Sequence, residues 1–192
     1  MSQNRNVVSA LEIGSLAEQG QIPLLPFEDR DLRRELVGLG EKQAHLGVLL
    51  GEARRQSSET WHDNAPADAV NAEGTIVASR AQSIIDALRG ALICEYPAGD
   101  ETTITLGSLV GLRFGNSDEL EYYLLTGFSR MAPTFTDGVK TPETFGVATV
   151  QSPMGKELLG RKVGDQASYS VNDRQIKFLV GSLVQVQESY IA

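Results

Sequence analysis

The chain has 192 residues, 41% of them hydrophobic, which is enough for a packed core in one large or two small domains. Its formal net charge of −8 argues against wrapping free DNA or RNA, because that binding depends on neutralising phosphates. The single cysteine, Cys94, excludes an internal disulfide, and no run reaches the roughly 20 apolar residues of a membrane span, so we predict a cytoplasmic protein.

Residues 1–27 show weak periodicity, with glycines and prolines scattered through them. Such composition is typical of loops and of chain ends that pack poorly. We therefore predict a loose N-terminal extension, with a short helix around residues 8–19.

From Asp29 onward, apolar residues recur in alternating steps of four and three, which is the a/d seam of a coiled coil. This spacing predicts a helix over residues 31–55, capped at its start by Asp29 or Asp31. Four glycines oppose the helix, since each costs about 1 kcal/mol relative to alanine in a helix interior. The seam consists of Leu32, Leu36, Leu39, Gln43, Leu46, Leu50 and Ala53.

A polar stretch over residues 56–66 predicts a reversal of the chain, and a second helix follows over residues 67–93. Two helices around a short reversal make an antiparallel hairpin, whose first arm, residues 31–55, would extend roughly 37 Å at about 1.5 Å per residue. A helical dimerisation arm is the plainer interpretation of the same pattern. The second seam consists of Val70, Gly74, Val77, Ala81, Ile84, Leu88 and Ala91.

After residue 100 the composition changes to β-branched and aromatic residues, which favour strands. We predict hairpin turns at residues 115–118 and 172–173, a loop over residues 130–145, and one short helix. Five strands with one helix make a small α+β domain. The predicted strands are 102–114, 119–127, 146–151, 166–171 and 175–187.

The short helix has the clearest local signals in the chain. Ser152 is a good N-cap residue, and Pro153 occupies the first helical position, where a missing N–H costs nothing. Gly160 offers a left-handed helix stop, and Val163-Gly-Asp165 turns the chain back into a strand. Ser152 is predicted to be a cap and not a nucleophile, because no histidine follows in this domain to activate it.

Taken together, the hairpin and the strand-rich domain resemble the bacterial Gre family of transcription elongation factors (GreA and GreB) over about residues 28–190. The C-terminal signature carries most of the resemblance. It comprises the serine-proline of Val150–Gly155, the leucine-glycine of Leu158–Gly160, the glycine-aspartate of Val163–Asp165 and the glycine-x-x-valine of Gly107–Val110. In the hairpin, Glu52-Ala-Arg54 and Asn64-Ala65 are similar to the family's residues on either side of the tip.

The resemblance implies an α+β fold: a coiled-coil hairpin that enters the secondary channel of RNA polymerase, followed by an FKBP-like domain that grips its rim. It divides the chain into an extension (1–27), a hairpin (28–95) and a C-terminal domain (100–192). The implied partner is RNA polymerase, with indirect contact to the nascent RNA 3′ end and no membrane. The chain would be an accessory factor and not an enzyme, without a cofactor of its own, because RNA polymerase supplies the Mg²⁺.

Family members that stimulate transcript cleavage carry two acids at the hairpin tip, which hold the second metal ion of the polymerase. Asp63 fits the second acid, whereas neutral Thr60 replaces the first and Glu59 lies beside it. The segment is about two residues longer than is usual in the family. Asp63 and Glu59 are therefore the expected catalytic and metal-binding carboxylates, and two functions stay open: stimulation of cleavage, or non-cleaving regulation or inhibition of polymerase.

Four further residues near the tip are candidates for contact with polymerase or RNA: Arg54, Arg55, Trp61 and His62. Each has a plainer interpretation. The arginines would be an ordinary charged helix face, Trp61 a packing residue and His62 an exposed loop residue.

Two other functional classes stay open at this point. The FKBP-like fold implies a possible prolyl isomerase, which needs an aromatic-lined pocket, although the aromatic residues look dispersed between core and surface. The coiled coil alone is also typical of an interaction module that pairs with a partner helix. Binding to core RNA polymerase would distinguish the Gre-like polymerase factor from both the prolyl isomerase and the interaction module.

Overall fold

The structure of the protein is a computed structural model. Contacts divide the chain into two compact units, Arg30–Arg89 and a second unit formed by the residues before and after it. No helix in the described part of the chain is long and apolar enough to cross a bilayer. The described residues are 10–56, 65–96, 102–129, 131–136 and 142–191.

The smaller unit is an antiparallel pair of helices, as the seam predicted. Helix α2 (Pro26–Gln56) begins in the larger unit and supplies the first arm, and α3 (Ala65–Arg89) returns. Seam residues of both helices are buried, among them Leu46 and Val77. Most of the α2 glycines lie at exposed positions, where an added Cβ would meet nothing within 4 Å. Their cost in helix propensity is therefore not repaid by close packing.

The predicted helix boundaries need correction. Helix α2 starts earlier than residue 31, because Pro26 occupies its first helical position and Leu25 precedes it as the N-cap residue. Asp29 and Asp31 lie inside the helix and therefore do not cap it. Helix α3 ends at Arg89, and the last predicted helical residues instead form strand β2 (Ala91–Ile93).

The predicted loose extension is wrong for its described residues. Helix α1 (Ala10–Glu18), which agrees with the predicted short helix, buries Ile13 in the core of the larger unit. Strand β1 (Ile22–Leu24) pairs in parallel with β2 in a two-stranded sheet. Residues 1–9 lie outside the described chain. A three-residue strand such as β1 is too brief for periodicity to distinguish from loop.

The larger unit contains a five-stranded mixed sheet, which confirms the predicted number of strands and the α+β class. Its order is β5-β4-β3-β7-β6, and only the β4–β5 pair is parallel. The first strand starts at Ser108, six residues later than predicted. The strands are β3 (Ser108–Phe114), β4 (Glu121–Thr126), β5 (Gly146–Thr149), β6 (Gln166–Val171) and β7 (Arg174–Gln185).

Helix α4 (Pro153–Leu158) packs against β5 and β6, the two edge strands of this sheet, and its Leu158 is fully buried in the same core as Leu112 and Val180. The Ser152 hydroxyl accepts a hydrogen bond from the Gly155 N–H at 3.0 Å, which confirms the predicted cap. Gly160 adopts a φ of +80°, as its predicted role as a helix stop requires.

The structure agrees with the predicted turn at residues 172–173 and, for its described residues, with the predicted loop at residues 130–145. Asn172 and Asp173 both have positive φ (47° and 61°), the geometry of a two-residue hairpin turn, which the sequence placed correctly. The described residues of the predicted loop 130–145 contain no helix or strand. They hold one isolated bridge, from Phe135 to Ile191, beside a short 3-10 helix (Glu188–Tyr190).

Candidate functional site

The predicted tip residues fall between the two helices of the hairpin. Helix α2 ends at Gln56 and α3 begins at Ala65, so residues 57–64 join them. Glu59, Trp61, His62 and Asp63 are all in this segment and lie outside the described residues. Chain connectivity alone puts them between the two helices, and their predicted roles stay predictions.

The two predicted arginines are described. Arg54 and Arg55 lie in the last turn of α2, and both are exposed. The Arg55 Nε donates a hydrogen bond to the Gly51 carbonyl oxygen at 3.2 Å. Cations in the last turn are favourable for a helix because its C-terminal end carries partial negative charge. The structure thus brings both side chains next to the joining segment and also gives them an ordinary stabilising role.

Ion pairs connect the two arms and set their register. The Arg80 guanidinium donates two hydrogen bonds to the Glu35 carboxylate, Nε to Oε1 at 2.7 Å and Nη2 to Oε2 at 2.8 Å. Closer to the tip, Lys42 Nζ lies 2.7 Å from Glu73 Oε1. From Glu35 to Lys42 along α2, the paired residue moves backward along α3 from Arg80 to Glu73, as antiparallel arms require. The charged pairs therefore favour one register of α2 against α3 more strongly than the apolar seam alone does.

We expect a coupling energy of about 1 kcal/mol between Arg80 and Glu35 in a double-mutant cycle with alanine at each position. Partial exposure of the two side chains, 38% and 26%, limits the value through solvent screening. Urea denaturation of the four proteins measures it. The more exposed Lys42–Glu73 pair is the control and should show weaker coupling, whereas equal coupling of the two pairs would contradict the role of the bidentate geometry.

A fully buried carboxylate lies where α2 enters the larger unit. Glu28 accepts hydrogen bonds from the N–H groups of Leu25, Gly127, Phe128 and Ser129, at 2.9 to 3.1 Å. Its side chain is 0% exposed. Burial raises the pKa of Glu28, and the four backbone donors oppose that effect. The arrangement joins the first turn of α2 to the loop that follows β4.

Sequence reasoning did not identify Glu28, although one signal was present. A glutamate at the third helical position commonly accepts from the N-cap N–H, as half of a capping box. Pro26 marked the first position and Glu28 the third, so the Leu25 N–H contact at 3.0 Å was predictable. The three donors from the distant loop were not, because they depend on tertiary packing.

The buried thiol of Cys94 lies in the same environment. Burial, and then the negative charge of Glu28, raises the pKa of Cys94 to about 11. At pH 8 the native thiolate population is therefore very small, whereas an unfolded cysteine titrates near 8.5. We expect the native protein to react with iodoacetamide about two orders of magnitude more slowly than the urea-unfolded protein. Equal rates in the two states would refute this description of the thiol.

Metal binding by the chain itself finds no support among the described residues. They contain no group of three or more His, Cys, Asp or Glu side chains that could hold an ion. His45 is exposed on α2. The candidate carboxylates Asp63 and Glu59 lie outside the described part of the chain, so their predicted metal role is not addressed by that finding.

The sheet carries a surface cavity of about 850 Å³, lined mainly by polar and charged side chains. Phe178 is the single aromatic residue among the described residues that line it. Four aromatic residues that looked dispersed in the sequence instead form a chain of ring contacts, with centroids 6.1 to 6.3 Å apart: Tyr123, Phe114, Phe178 and Tyr169. They pack against the core, so the aromatic-lined pocket that a prolyl isomerase needs does not appear in this cavity.

Known proteins resemble this chain in both units. The family described as transcription elongation factor, GreA/GreB, C-terminal, matches residues 99–183. A transcription elongation factor GreA from Lachnoclostridium phytofermentans is 27% identical over 169 residues, covering 86% of this chain and 96% of that protein. Among solved structures, GreA factor homolog 1 (Gfh1) of Thermus thermophilus is 25% identical, covering 85% of this chain and 98% of that one, with a TM-score of 0.38. Thermus aquaticus Gfh1 is 26% identical, with the same coverage and TM-score.

Proposed function

The chain belongs to the Gre family of transcription elongation factors and is GreA/GreB-like, and from this we propose that it binds RNA polymerase in the cytoplasm as an accessory factor. The hairpin enters the secondary channel of the polymerase, and the sheet domain holds the rim of that channel. The observation that carries the proposal is the antiparallel pair α2–α3, whose arms end on either side of the segment that contains Glu59 and Asp63.

The arms are suited to this role by their length and alignment. The 31 residues of α2 and 25 of α3 extend roughly 46 Å and 37 Å at about 1.5 Å per residue. The Arg80–Glu35 and Lys42–Glu73 pairs hold the helices in one register. A segment joined to two aligned helices is presented with less freedom than a loop of the same length would have, which favours delivery of a side chain to a distant site.

At the polymerase active site, Asp63 contributes a carboxylate oxygen to the loosely held second Mg²⁺, with Glu59 as the second candidate. Hard divalent cations prefer oxygen ligands, and an added ligand helps to retain the metal that orients the attacking water. The metal belongs to the polymerase, and this chain supplies no cofactor. Arg54 and Arg55, exposed beside the joining segment, offer positive charge to the nascent RNA.

Non-cleaving regulation of polymerase is the second candidate. Its support is Thr60, a neutral hydroxyl where cleaving members carry an acid, in a segment of unusual length. A threonine hydroxyl binds Mg²⁺ more weakly than a carboxylate does. In this alternative the hairpin occupies the channel without stimulating cleavage and inhibits the polymerase instead.

Transcript cleavage on a backtracked elongation complex tests the two candidates. If the chain delivers carboxylates, the wild type stimulates cleavage, Asp63→Ala abolishes it, and Glu59→Ala weakens it. Asp68→Ala is the matched control, since Asp68 is an exposed acid in the first turn of α3. Binding of all variants to core polymerase is measured in parallel. Binding without cleavage by the wild type selects the regulator, and absence of binding rejects both candidates.

A further inference from the structure

Strand β6 forms one edge of the five-stranded sheet, and its composition leaves that edge unprotected. The order β5-β4-β3-β7-β6 gives β6 a neighbour on one side only. Edge strands usually carry charged residues, proline or a bulge that prevents further pairing. The sequence of β6, Gln166-Ala-Ser-Tyr-Ser-Val171, has no charge, no proline and no glycine, and its β6–β7 register is regular throughout.

The hairpin geometry determines which backbone groups point away from the sheet. The two-residue turn makes Val171 and Arg174 the closing pair, so the N–H and C=O groups of Val171 and Tyr169 point toward β7. The corresponding groups of Ser168 and Ser170 point outward. In the described part of the chain, neither serine's outward backbone groups take part in a hydrogen bond. A further strand can therefore pair along this edge.

The cavity described above lies beside this edge. Ser168 and Gln166 line it, together with Lys177 of β7 and Arg113 of β3. Lys177 is the cross-strand partner of Ser168, so the two side chains share one face of the sheet. Within the described residues, neither the Lys177 ammonium nor the Arg113 guanidinium forms an ion pair or a hydrogen bond.

The balance of charge in the cavity favours a negatively charged ligand group. Among the lining residues, Glu157 is paired with Arg161 at 3.0 Å, which leaves Asp118 as the acid opposed to Lys177 and Arg113. An excess of positive charge in one cavity of a chain with net charge −8 attracts an acidic side chain locally.

We propose that the β6 edge and this cavity together bind an extended, acidic segment of a partner protein. The segment adds as a sixth strand, pairing with the outward N–H and C=O groups of Ser168 and Ser170. One of its carboxylates enters the cavity and pairs with Lys177. Backbone pairing gives affinity and the charge gives selectivity, as in other cases of strand addition. This inference goes beyond the proposed polymerase function and does not depend on it.

The same features argue against other occupants. A second copy of the chain would offer its own uncharged β6 and leave Lys177 and Arg113 unpaired. An acidic strand satisfies both the backbone edge and the basic side chains.

Titration of the isotope-labelled full chain with an eight-residue peptide of alternating Glu and Val, blocked at both ends, tests the proposal by NMR. We expect amide shifts centred on Ser168, Ser170 and Lys177, and none with the peptide that has Lys in place of Glu. Ser170→Pro removes the outward N–H without removing a bond to β7 and should weaken binding at least tenfold. Ser170→Ala, which keeps the N–H, should bind as the wild type does.

Lys177→Glu provides a test that does not depend on tolerance of proline, because it should abolish binding of the Glu peptide and permit binding of the Lys peptide. Thermal denaturation checks that each variant is folded. Shifts confined to residues outside β6, equal affinity for both peptides, concentration-dependent broadening at β6 without peptide, or the same shifts with a uridine oligonucleotide would each overturn the proposal. Transcript cleavage plays no part in these readouts, so failure here and failure of the polymerase proposal are distinguishable.

Discussion

Glu28→Ala is expected to lower the free energy of unfolding by about 4 kcal/mol, the largest effect of any substitution considered for this chain. The substitution removes the carboxylate that accepts hydrogen bonds from four backbone N–H groups, those of Leu25, Gly127, Phe128 and Ser129, of which only that of Phe128 is part-buried and not fully buried. Each buried donor without an acceptor costs about 1–3 kcal/mol, and part of that cost is recovered when the loop relaxes or admits water. Urea denaturation measures the change as a lower midpoint at constant slope.

Two variants control this experiment. Glu28→Gln keeps the shape and one acceptor oxygen but directs an NH₂ group at backbone donors, so we expect an intermediate loss. Glu41→Ala removes an exposed acid from α2 and should change stability by less than about 0.5 kcal/mol. A Glu28→Ala protein as stable as Glu41→Ala would show that the carboxylate is dispensable for folding.

Gly127→Ala is expected to cost about 3 kcal/mol. A Cβ at this position would overlap the Pro23 carbonyl oxygen and lie 2.7 Å from the Pro23 carbonyl carbon. Those are backbone atoms and cannot move aside as a flexible side chain does. The loop must shift instead, and it would take the Gly127 N–H away from Glu28.

Gly38→Ala is the matched control for this substitution. Its added Cβ would meet nothing within 4 Å, and Gly38 lies inside α2, so alanine there should stabilise the protein by about 1 kcal/mol. Chemical denaturation of both variants separates the effect of space from the effect of an added methyl group. Two substitutions with the same sign would contradict the explanation.

How well the sequence predicted each element depended on the range of the interactions involved. The a/d seam predicted the helix pair because burial of Leu46 and Val77 follows from a period that one helix already shows. The Ser152 cap and the Asn172-Asp173 turn were predictable for the same reason, since each depends on residues within four positions.

Elements that depend on distant residues were missed. Strand β1 forms because it pairs with β2, which lies beyond the whole hairpin, and no local pattern in its three residues indicates this. Three of the four donors to Glu28 come from a loop about one hundred residues away in the sequence. At the tip, the roles of Glu59 and Asp63 stay predictions, because both residues lie outside the described part of the chain and spacing alone does not determine how the segment arranges them.

The β1–β2 pair has a consequence for how this protein can change over time. Leu24 and Ile93 are register partners, so the chain leaves the sheet-bearing unit and returns to it at adjoining strands. In the order of the chain, the helical hairpin is an insertion into the larger unit, and the strands that precede and follow it, β1 and β2, pair with each other. Adding or deleting seven residues in each helix together would conserve the seam, and the host unit would keep its core. Mutation can therefore change the length of the hairpin without changing the stability of the larger unit.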